Sequence, residues 1–414
     1  MIIFVAGLAV IASERVHRTK VALVGAALVV ISQTIDQEHA VEAVDFNTLG
    51  LLAGMMIVVR LTEPTGLYNY MAIRAGHVSR GRPLGVVIAL AGTTALLSAF
   101  LDNLTTILLM VPITFLLADT LDIPAVPLVI MEIIASNIGG TATLIGDPPN
   151  ILIAGATGIS FNDFLLNLAP IAIITLAVVI ALLYLFFRSQ LQIEPADRAR
   201  VMELDPRKSI EDPDELRRTL PVLIATVLGF FLHQALHLEP ATVALTGATV
   251  MLLVSRQSLE KALAEIEWAT LFFFLGLFVM VGALEETGAI KEVADGIASL
   301  TAGDRTAELL GITWISAIGS GVVDNIPFTA TMIPVVEQLQ GAETGDNAYW
   351  WALSLGACFG GNATIIAAAA NVAASGMAAR AGEPIGFVAF LRVGVPATLI
   401  SMILATLYIA VRYL

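Results

Sequence analysis

Long apolar runs separated by short polar stretches recur along the whole chain. Clear examples are 170–187, 220–232, 241–254 and 270–284. A helix needs about 17 to 20 apolar residues to cross the ~30 Å hydrocarbon core of a bilayer. The best runs reach or approach that length, so the pattern predicts an all-α polytopic membrane protein.

Composition supports this prediction. Of the 414 residues, 57% are apolar and 14% are charged, and the mean hydropathy is +0.86. Soluble domains carry about 25% charged residues, so this chain has too few charges to cover a water-facing surface. Lys and Arg number 21 against 35 Asp and Glu, a net charge of −14. This balance argues against nucleic acid as a partner, because phosphate binding requires basic patches.

Cysteine and histidine usage excludes further classes of site. A single cysteine, Cys358, rules out intramolecular disulfides and cysteine-based zinc sites. The five histidines show no metal-binding spacing such as HExxH. The chain also has no glycine-rich loop of the Walker type for ATP. We therefore expect no metal, no cofactor and no enzymatic activity.

The chain repeats itself at a spacing of 221 to 222 residues. The aligned pairs include Val21 and Val243, Gly54 and Gly276, Ser98 and Ser320, Asp102 and Asp324, Asn103 and Asn325, Pro112 and Pro334, Thr143 and Thr364, and Asn150 and Asn371. Such an ordered series predicts two homologous halves. We expect a first repeat at 1–188, a polar linker at 189–219 and a second repeat at 220–414.

The distribution of basic residues predicts opposite orientations for the two halves. Loops 13–20 and 60–83 are basic, whereas 36–47 has no Lys or Arg. In the second half the bias is reversed, since 256–268 carries two bases and 237–240 carries none. The positive-inside rule then places loop 13–20 and the linker 189–219 in the cytoplasm, with the chain in the inner membrane. Inverted repeats of this kind are typical of secondary transporters.

An aspartate interrupts an apolar stretch at the same position in each half. Asp102 precedes Asn103 and Asp324 precedes Asn325. A carboxylate at membrane depth costs about 2.5–3.5 kcal/mol and persists where it faces a protein interior or an aqueous cavity. Each aspartate can cap a half-helix or handle an ion, and the two roles are compatible at the tip of a re-entrant helical hairpin.

A second interruption contains paired glycines and, in the first half, two prolines. It covers 136–150 and, in the other half, 356–371. Glycine frees the backbone and proline removes a donor, so an unwound transmembrane helix with exposed carbonyl groups is expected. Close helix packing is the alternative reason for the glycines. Asp147 has Ala368 as its counterpart, so the charge of the two halves is unequal.

These interruptions supply the predicted substrate and ion ligands. The set is Asp102, Asn103, Thr105, Asn137, Gly139, Gly140, Thr141, Thr143, Asp147, Asn150, Asp324, Asn325, Thr329, Gly360, Gly361, Asn362, Thr364 and Asn371. Burial disfavours the charged form of a carboxyl group. We therefore expect Asp102, Asp147 and Asp324 to couple transport to protons. Glu132 is a further acid within an apolar stretch, and either an intramembrane role or a helix-end position fits it.

Several motifs resemble those of the ion transporter superfamily. They lie at 14–18, 98–103, 137–140, 145–150, 267–271 and 324–334. The likeness extends over nearly the whole chain and is strongest to the branch of arsenical pump membrane proteins, NhaD-type antiporters and the P protein (pink-eyed dilution). It implies hairpin tips at 102–103 and 324–325, and unwound stretches at 139–150 and 360–371.

The resemblance favours a proton-coupled transporter that exports arsenite or antimonite by alternating access. A sodium/proton antiporter and an anion transporter or channel of the P protein type remain alternatives. Dicarboxylate carriers of the superfamily have neutral Ser-Asn-Thr tips, whereas aspartate here would repel a carboxylate. The expected partners are a small inorganic ion or oxyacid, protons or sodium, and membrane lipid. A homodimer and an association with a cytosolic ATPase subunit are left open.

Overall fold

The computed structural model describes residues 1–13, 15–203, 205–340 and 346–414. Glu14, which begins the 14–18 motif, lies outside the described residues. The described chain forms helices without strands. The helices are α1 Ile2–Ala12, α2 Arg18–Ile31, α3 Gln37–Glu42, α4 Phe46–Thr62, α5 Leu67–Ser79, α6 Pro83–Phe100, α7 Asn103–Thr120, α8 Ala125–Gly140, α9 Pro148–Thr157, α10 Phe161–Phe187, α11 Pro195–Glu203, α12 Pro213–Leu232, α13 Pro240–Val254, α14 Leu259–Ala264, α15 Trp268–Glu286, α16 Ala289–Thr301, α17 Arg305–Val322, α18 Asn325–Gln340, α19 Ala348–Gly360, α20 Ala369–Arg380 and α21 Phe387–Tyr413.

Six helical stretches in the described chain are long and apolar enough to cross a membrane. They are Gln37–Thr65, Pro83–Phe100, Asn103–Thr120, Phe161–Phe187, Trp268–Glu286 and Phe387–Tyr413. Shorter apolar helices, among them α8 and α13, lie beside them. The predicted all-α polytopic fold is confirmed.

The order of helices repeats along the chain. α3, α5 and α6 have the same bounds as α14, α16 and α17 when 222 is added to each residue number. α4 and α15 both begin at equivalent residues, as do α7 and α18. The long helices α10 and α21 close the two series. Each half thus builds the same succession of helices from a different sequence.

Contacts between α4 and α15 show that these equivalent helices run in opposite directions. Arg60, near the end of α4, donates from Nη2 to Glu267 Oε1 at 3.1 Å, just before α15 begins. Gly282, near the end of α15, packs against Ala43, which precedes α4. The end of each helix therefore lies beside the start of the other, as inverted repeats require.

Reciprocal glycine contacts relate the halves by an approximate two-fold axis. A Cβ at Gly54 would lie 2.6 Å from the backbone of Ala244. A Cβ at Gly276 would lie 2.7 Å from the backbone of Ala22. Adding 222 to Gly54 gives Gly276, and adding it to Ala22 gives Ala244. Such exchange of partners is the property of a two-fold interface, so the glycines allow two close helix crossings of the same kind.

Two hairpins and two broken helices occupy equivalent places. α6 and α7 meet at 101–102, and α17 and α18 meet at 323–324. α8 and α9 are separated by 141–147, and α19 and α20 by 361–368, which includes a 3-10 turn. The expected breaks began at Gly139 and Gly360. Both glycines are helical, and each packs directly on a neighbouring backbone, at Ala95 and at Ala317. Close helix packing, the alternative reason for these glycines, accounts for them.

The polar linker is folded against both halves. α11 and a 3-10 turn at Pro206–Ser209 lie within it, and α12 begins at Pro213, before the predicted end of the linker. Glu211 N donates to Thr65 O at 3.0 Å, and the Glu215 carboxylate accepts from Ser255 Oγ and Arg256 N. The division at 189–219 stays a prediction, but the segment is anchored rather than free.

Candidate functional site

Both hairpin tips contact one carboxylate. Asn103 is the first residue of α7 and Asn325 is the first residue of α18. Their Nδ2 groups donate to the same Asp147 oxygen, Oδ1, at 3.2 and 3.3 Å. Asp147 is completely buried, and both asparagines are nearly so. The two halves therefore meet at an acid that the first half alone supplies.

The backbone at the break aims Asp147 away from its own helix. Asp147 precedes Pro148 and is extended, with φ −138° and ψ 133°, as proline requires of the residue before it. Pro148 and Pro149 have no N–H to offer, and the Asp147 side chain does not cap α9. The carboxylate is consequently available to the hairpin tips.

Asn137 connects the two broken helices. Its Nδ2 lies 3.0 Å from Asn371 Oδ1 and 3.0 Å from Asn362 Oδ1. Its Oδ1 accepts from Asn103 Nδ2 at 3.3 Å. Asn137, Asn362 and Asn371 are fully buried. Side-chain amides thus link the first hairpin tip to the broken helix of the opposite half.

Asn150 and Asn371 form equivalent hydrogen bonds in the two unwound segments. Asn150 Nδ2 donates to Thr143 O at 2.8 Å, and Asn371 Nδ2 donates to Thr364 O at 2.8 Å. Adding 221 to the first pair gives the second. A carbonyl freed by unwinding is thereby satisfied in each half, as a buried carbonyl must be.

Cys358 occupies the position that corresponds to Asn137. Its thiol lies 3.7 Å from Asn150 Oδ1, the counterpart of the bond from Asn137 to Asn371. Ser354 Oγ donates to the same Asn150 oxygen at 2.6 Å. Ser354 was not among the predicted residues, since a serine within an apolar helix carries no distinctive signal. The lone cysteine therefore packs as a weak donor in the network, and it also lies beside the carboxyl group of Asp147.

Two buried polar atoms at this site have no hydrogen-bond partner in the described chain. They are Asp147 Oδ2 and Asn362 Nδ2. Leaving a buried polar group unpaired costs about 1–3 kcal/mol. Asp147 Oδ2 is an acceptor and Asn362 Nδ2 is a donor. A bound solute with hydroxyl groups would satisfy both atoms, and a proton would satisfy Asp147 Oδ2. We call Asn103, Asn137, Asp147, Asn325, Asn362 and Asn371 the asparagine cluster.

The tip aspartates cap their helices outside the asparagine cluster. Asp102 Oδ1 accepts from Thr105 N at 2.8 Å, and Asp324 Oδ1 accepts from Ile326 N at 3.0 Å. Asp324 Oδ2 also accepts from Arg18 Nη1 at 2.7 Å. The sequence analysis used Arg18 within the basic loop 13–20 and the 14–18 motif, and it did not predict this ion pair. Proton coupling through Asp102 and Asp324 stays a prediction.

The remaining predicted residues shape the backbone. The threonine hydroxyls donate to backbone carbonyls, and the glycines sit where a Cβ would approach neighbouring atoms. These residues are Thr141, Thr143, Thr329 and Thr364, and Gly139, Gly140, Gly360 and Gly361. No group of three His, Cys, Asp or Glu residues able to hold a metal is found in the described ranges.

Two cavities in the described chain differ in their surroundings, and the first reaches the tip of the second hairpin. One, of about 380 Å³, is lined by His17, Arg18 and Asp324 and by Ala369 at the start of α20. The other, of about 320 Å³, lies beside the loop before α4 and has Asp45, Glu285 and Glu337 in its wall. The first contains a cation paired with an acid and the second contains acids, so the two cavities differ in charge.

Comparison with known proteins gives consistent matches. The family model described as "Citrate transporter" matches residues 8–356. An uncharacterized transporter of Mycobacterium tuberculosis is 44% identical, over 99% of this chain and 97% of the relative. The 46 kDa membrane protein of Mycobacterium leprae is 41% identical, over 100% and 98%. The human P protein is 35% identical over 98% of this chain but 58% of its own length.

A solved structure has the same fold. The YdaH transporter of Alcanivorax borkumensis superposes with a TM-score of 0.60 over 88% of this chain and 85% of that one. At 16% identity this likeness concerns the fold alone.

Proposed function

This chain belongs to the citrate transporter family and is a multi-pass membrane transporter, and we propose that it exports arsenite and antimonite in exchange for protons. The observation that carries the proposal is the single buried carboxylate of Asp147 between the two hairpin tips. An inner-membrane location, with loop 13–20 and the linker in the cytoplasm, belongs to the same proposal.

Asp147 supports proton coupling because no basic group of the described chain acts on its carboxyl group. Amide groups donate to Oδ1, whereas Oδ2 has no hydrogen-bond partner in the described chain and the Cys358 thiol is the polar side chain beside this carboxyl group in α19. A buried ion without an opposite charge is unfavourable, so a proton or a cation is needed to neutralise the carboxylate. Because both hairpins contact Asp147, its protonation can change how the two halves fit together.

The amides support a neutral, hydroxylated substrate. Arsenite at neutral pH is the trihydroxide, whose hydroxyl groups can donate to and accept from asparagine side chains. Asp102, Asp147 and Asp324 all lie at or beside the hairpin tips and would repel an anion. One cysteine cannot supply the several thiols that bind trivalent arsenic tightly. Recognition through oxygen and nitrogen atoms also permits release.

A carboxylate anion is the second candidate. The description of the family model favours it, and so does the 380 Å³ cavity, where Arg18 and His17 could face an anion. In that case the anion would compete with Asp324 for Arg18.

The test is transport into proteoliposomes under an imposed pH gradient. Arsenite, antimonite, citrate and sodium are offered separately to the wild type and to Asp147→Asn. Asp119→Asn is the matched control, because Asp119 is an exposed acid at the far end of α7. Arsenite and antimonite flux that needs Asp147 but not Asp119 is expected. Citrate flux without arsenite flux would establish the second candidate instead.

A further inference from the structure

A second buried acid lies outside the asparagine cluster. Glu132 is on α8 and is completely buried. Its Oε1 accepts from Thr114 Oγ1 of α7 at 2.7 Å, and Thr94 Oγ1 of α6 lies 3.4 Å from the same oxygen. Glu132 therefore contacts both arms of the first hairpin from the broken helix.

The other oxygen of this carboxyl group has no partner. Glu132 Oε2 is buried and forms no hydrogen bond in the described chain. An ionised carboxylate here would place a full charge in an apolar junction and leave Oε2 without a hydrogen bond. A protonated carboxyl group leaves only a neutral hydroxyl unpaired, which is much less unfavourable. The neutral acid is the form that suits this environment.

No base compensates for the charge of Glu132. Six helices of the described chain pack against α8, and of these α6 carries no ionisable side chain. The other five carry Asp119 (α7), Asp163 and Tyr184 (α10), Tyr349 and Cys358 (α19), Arg380 (α20), and Arg392, Tyr408, Arg412 and Tyr413 (α21). Within the described residues, Thr94 and Thr114 are the polar side chains that act on Glu132. The junction is thus isolated from other charges.

The second half builds the equivalent junction without an acid. Residue Leu353 corresponds to Glu132, and Val336 corresponds to Thr114. Both are buried and apolar. Thr94 corresponds to Ser316, which is also buried, so the second half keeps one small hydroxyl but no acid at this junction. A hairpin can therefore pack on a broken helix of this fold without a carboxyl group. The acid in the first half is not required for packing, and this difference points to a separate role.

We propose that Glu132 is a second proton-binding site, which holds a proton in this conformation and exchanges it when the first hairpin moves against α8. The proton adds to the carboxylate and gives a neutral carboxylic acid, and no other group is consumed. This inference goes beyond the proposed function, because protonation of Glu132 does not depend on which solute is carried.

Infrared difference spectroscopy of the full chain in lipid tests the protonation directly. The spectrum of Glu132→Gln is subtracted from that of the wild type at neutral pH. The carbonyl band of a protonated carboxylic acid is expected in the difference, and it should persist when both proteins also carry Asp147→Asn. Carboxylate bands in its place would overturn the proposal, whatever the substrate proves to be.

A variant that copies the second half separates protonation from folding. Thr114→Val with Glu132→Leu reproduces the Val336 and Leu353 pair. We expect this protein to keep its thermal stability and to lose the acid band. In vesicles, the number of protons moved per solute should fall in both Glu132→Gln and the double variant. An unchanged proton-to-solute ratio in both would show that Glu132 does not exchange its proton during transport.

Discussion

The two broken helices share an asparagine-to-carbonyl hydrogen bond and the conformation of one residue, but they differ in chemistry. Asn150 and Asn371 bind equivalent carbonyls at the same 2.8 Å distance. Asp147 and Ala368 have nearly the same dihedral angles, φ −138° and ψ 133° against φ −149° and ψ 144°. Yet the side chain of Asp147 is a carboxyl group, whereas that of Ala368 is a methyl group. The shared hydrogen bonds set the shape of the site, and one half alone supplies its central charge.

This asymmetry has a mechanical consequence. Asn103 and Asn325 are equivalent residues of the two hairpins, and both donate to Asp147. Protonation of Asp147 therefore changes a hydrogen-bond acceptor of both hairpins at once. With two acids, the carboxylates would repel each other at the interface. One acid between two equivalent amides gives coupling without that repulsion.

Asp147→Asn should have the largest effect of the changes considered. The amide is close in size to the acid but cannot carry a proton. We expect solute uptake driven by a pH gradient to fall by roughly a hundredfold or more, as when a proton-transferring group is lost. Uptake is measured in proteoliposomes with equal amounts of folded protein. Wild-type uptake would remove Asp147 from the coupling mechanism.

Moving the carboxyl group from residue 147 to residue 368 tests whether the two broken helices are equivalent. In Asp147→Ala with Ala368→Asp, the carboxylate stands at the equivalent extended residue. Because the backbone is alike, the new acid should reach the same two tip asparagines. We expect uptake at least about tenfold above that of Asp147→Ala, with some loss from imperfect placement. Uptake no higher than that of Asp147→Ala would show that the halves are not interchangeable.

Arg18→Gln should have a moderate effect on stability. Arg18 and Asp324 form a 2.7 Å ion pair with side chains 21% and 10% exposed, and the guanidinium lies over the Phe273 ring. Loss of this partly buried pair should destabilise the protein by about 1–2 kcal/mol. Thermal unfolding in detergent measures the change.

The matched control is Arg217→Gln. Arg217 pairs with Asp214 on the surface, with side chains 80% and 63% exposed, and its loss should leave the unfolding temperature unchanged. Equal effects of the two substitutions would mean that the Arg18 pair contributes no more than a surface pair.

Sequence patterns predicted the elements well and the convergence of their side chains poorly. Paired glycines mark the end of the helix before each break, and two prolines mark the end of the first break, because these residues act on the local backbone. The meeting of Asn103 and Asn325 at Asp147 depends on the inverted packing of two distant halves. The repeat spacing of 222 residues does not indicate which side chains this packing brings together. The ion pair of Arg18 was missed for the same reason, since Asp324 is 306 residues away. Ser354 was missed because a serine in an apolar helix carries no distinctive signal, and its partner is 204 residues away.

The smallest effect is expected for Cys358→Ser. The thiol is completely buried and lies 3.7 Å from an Asn150 oxygen that already accepts from Ser354. Serine retains a donor, so arsenite flux should stay within about twofold of the wild type. Flux is measured at several arsenite concentrations. Complete loss in a stable Cys358→Ser protein would imply that the thiol binds the substrate.

The most direct test of the central claim is proton movement driven by a solute gradient. Proteoliposomes that hold an internal pH indicator are given a gradient of whichever solute the wild type carries, with no pH gradient at the start. The account predicts proton flux in the wild type and none in Asp147→Asn, while Asp147→Asn still binds the solute. Proton flux of wild-type size in Asp147→Asn would contradict the claim that Asp147 is the coupling acid shared by both halves.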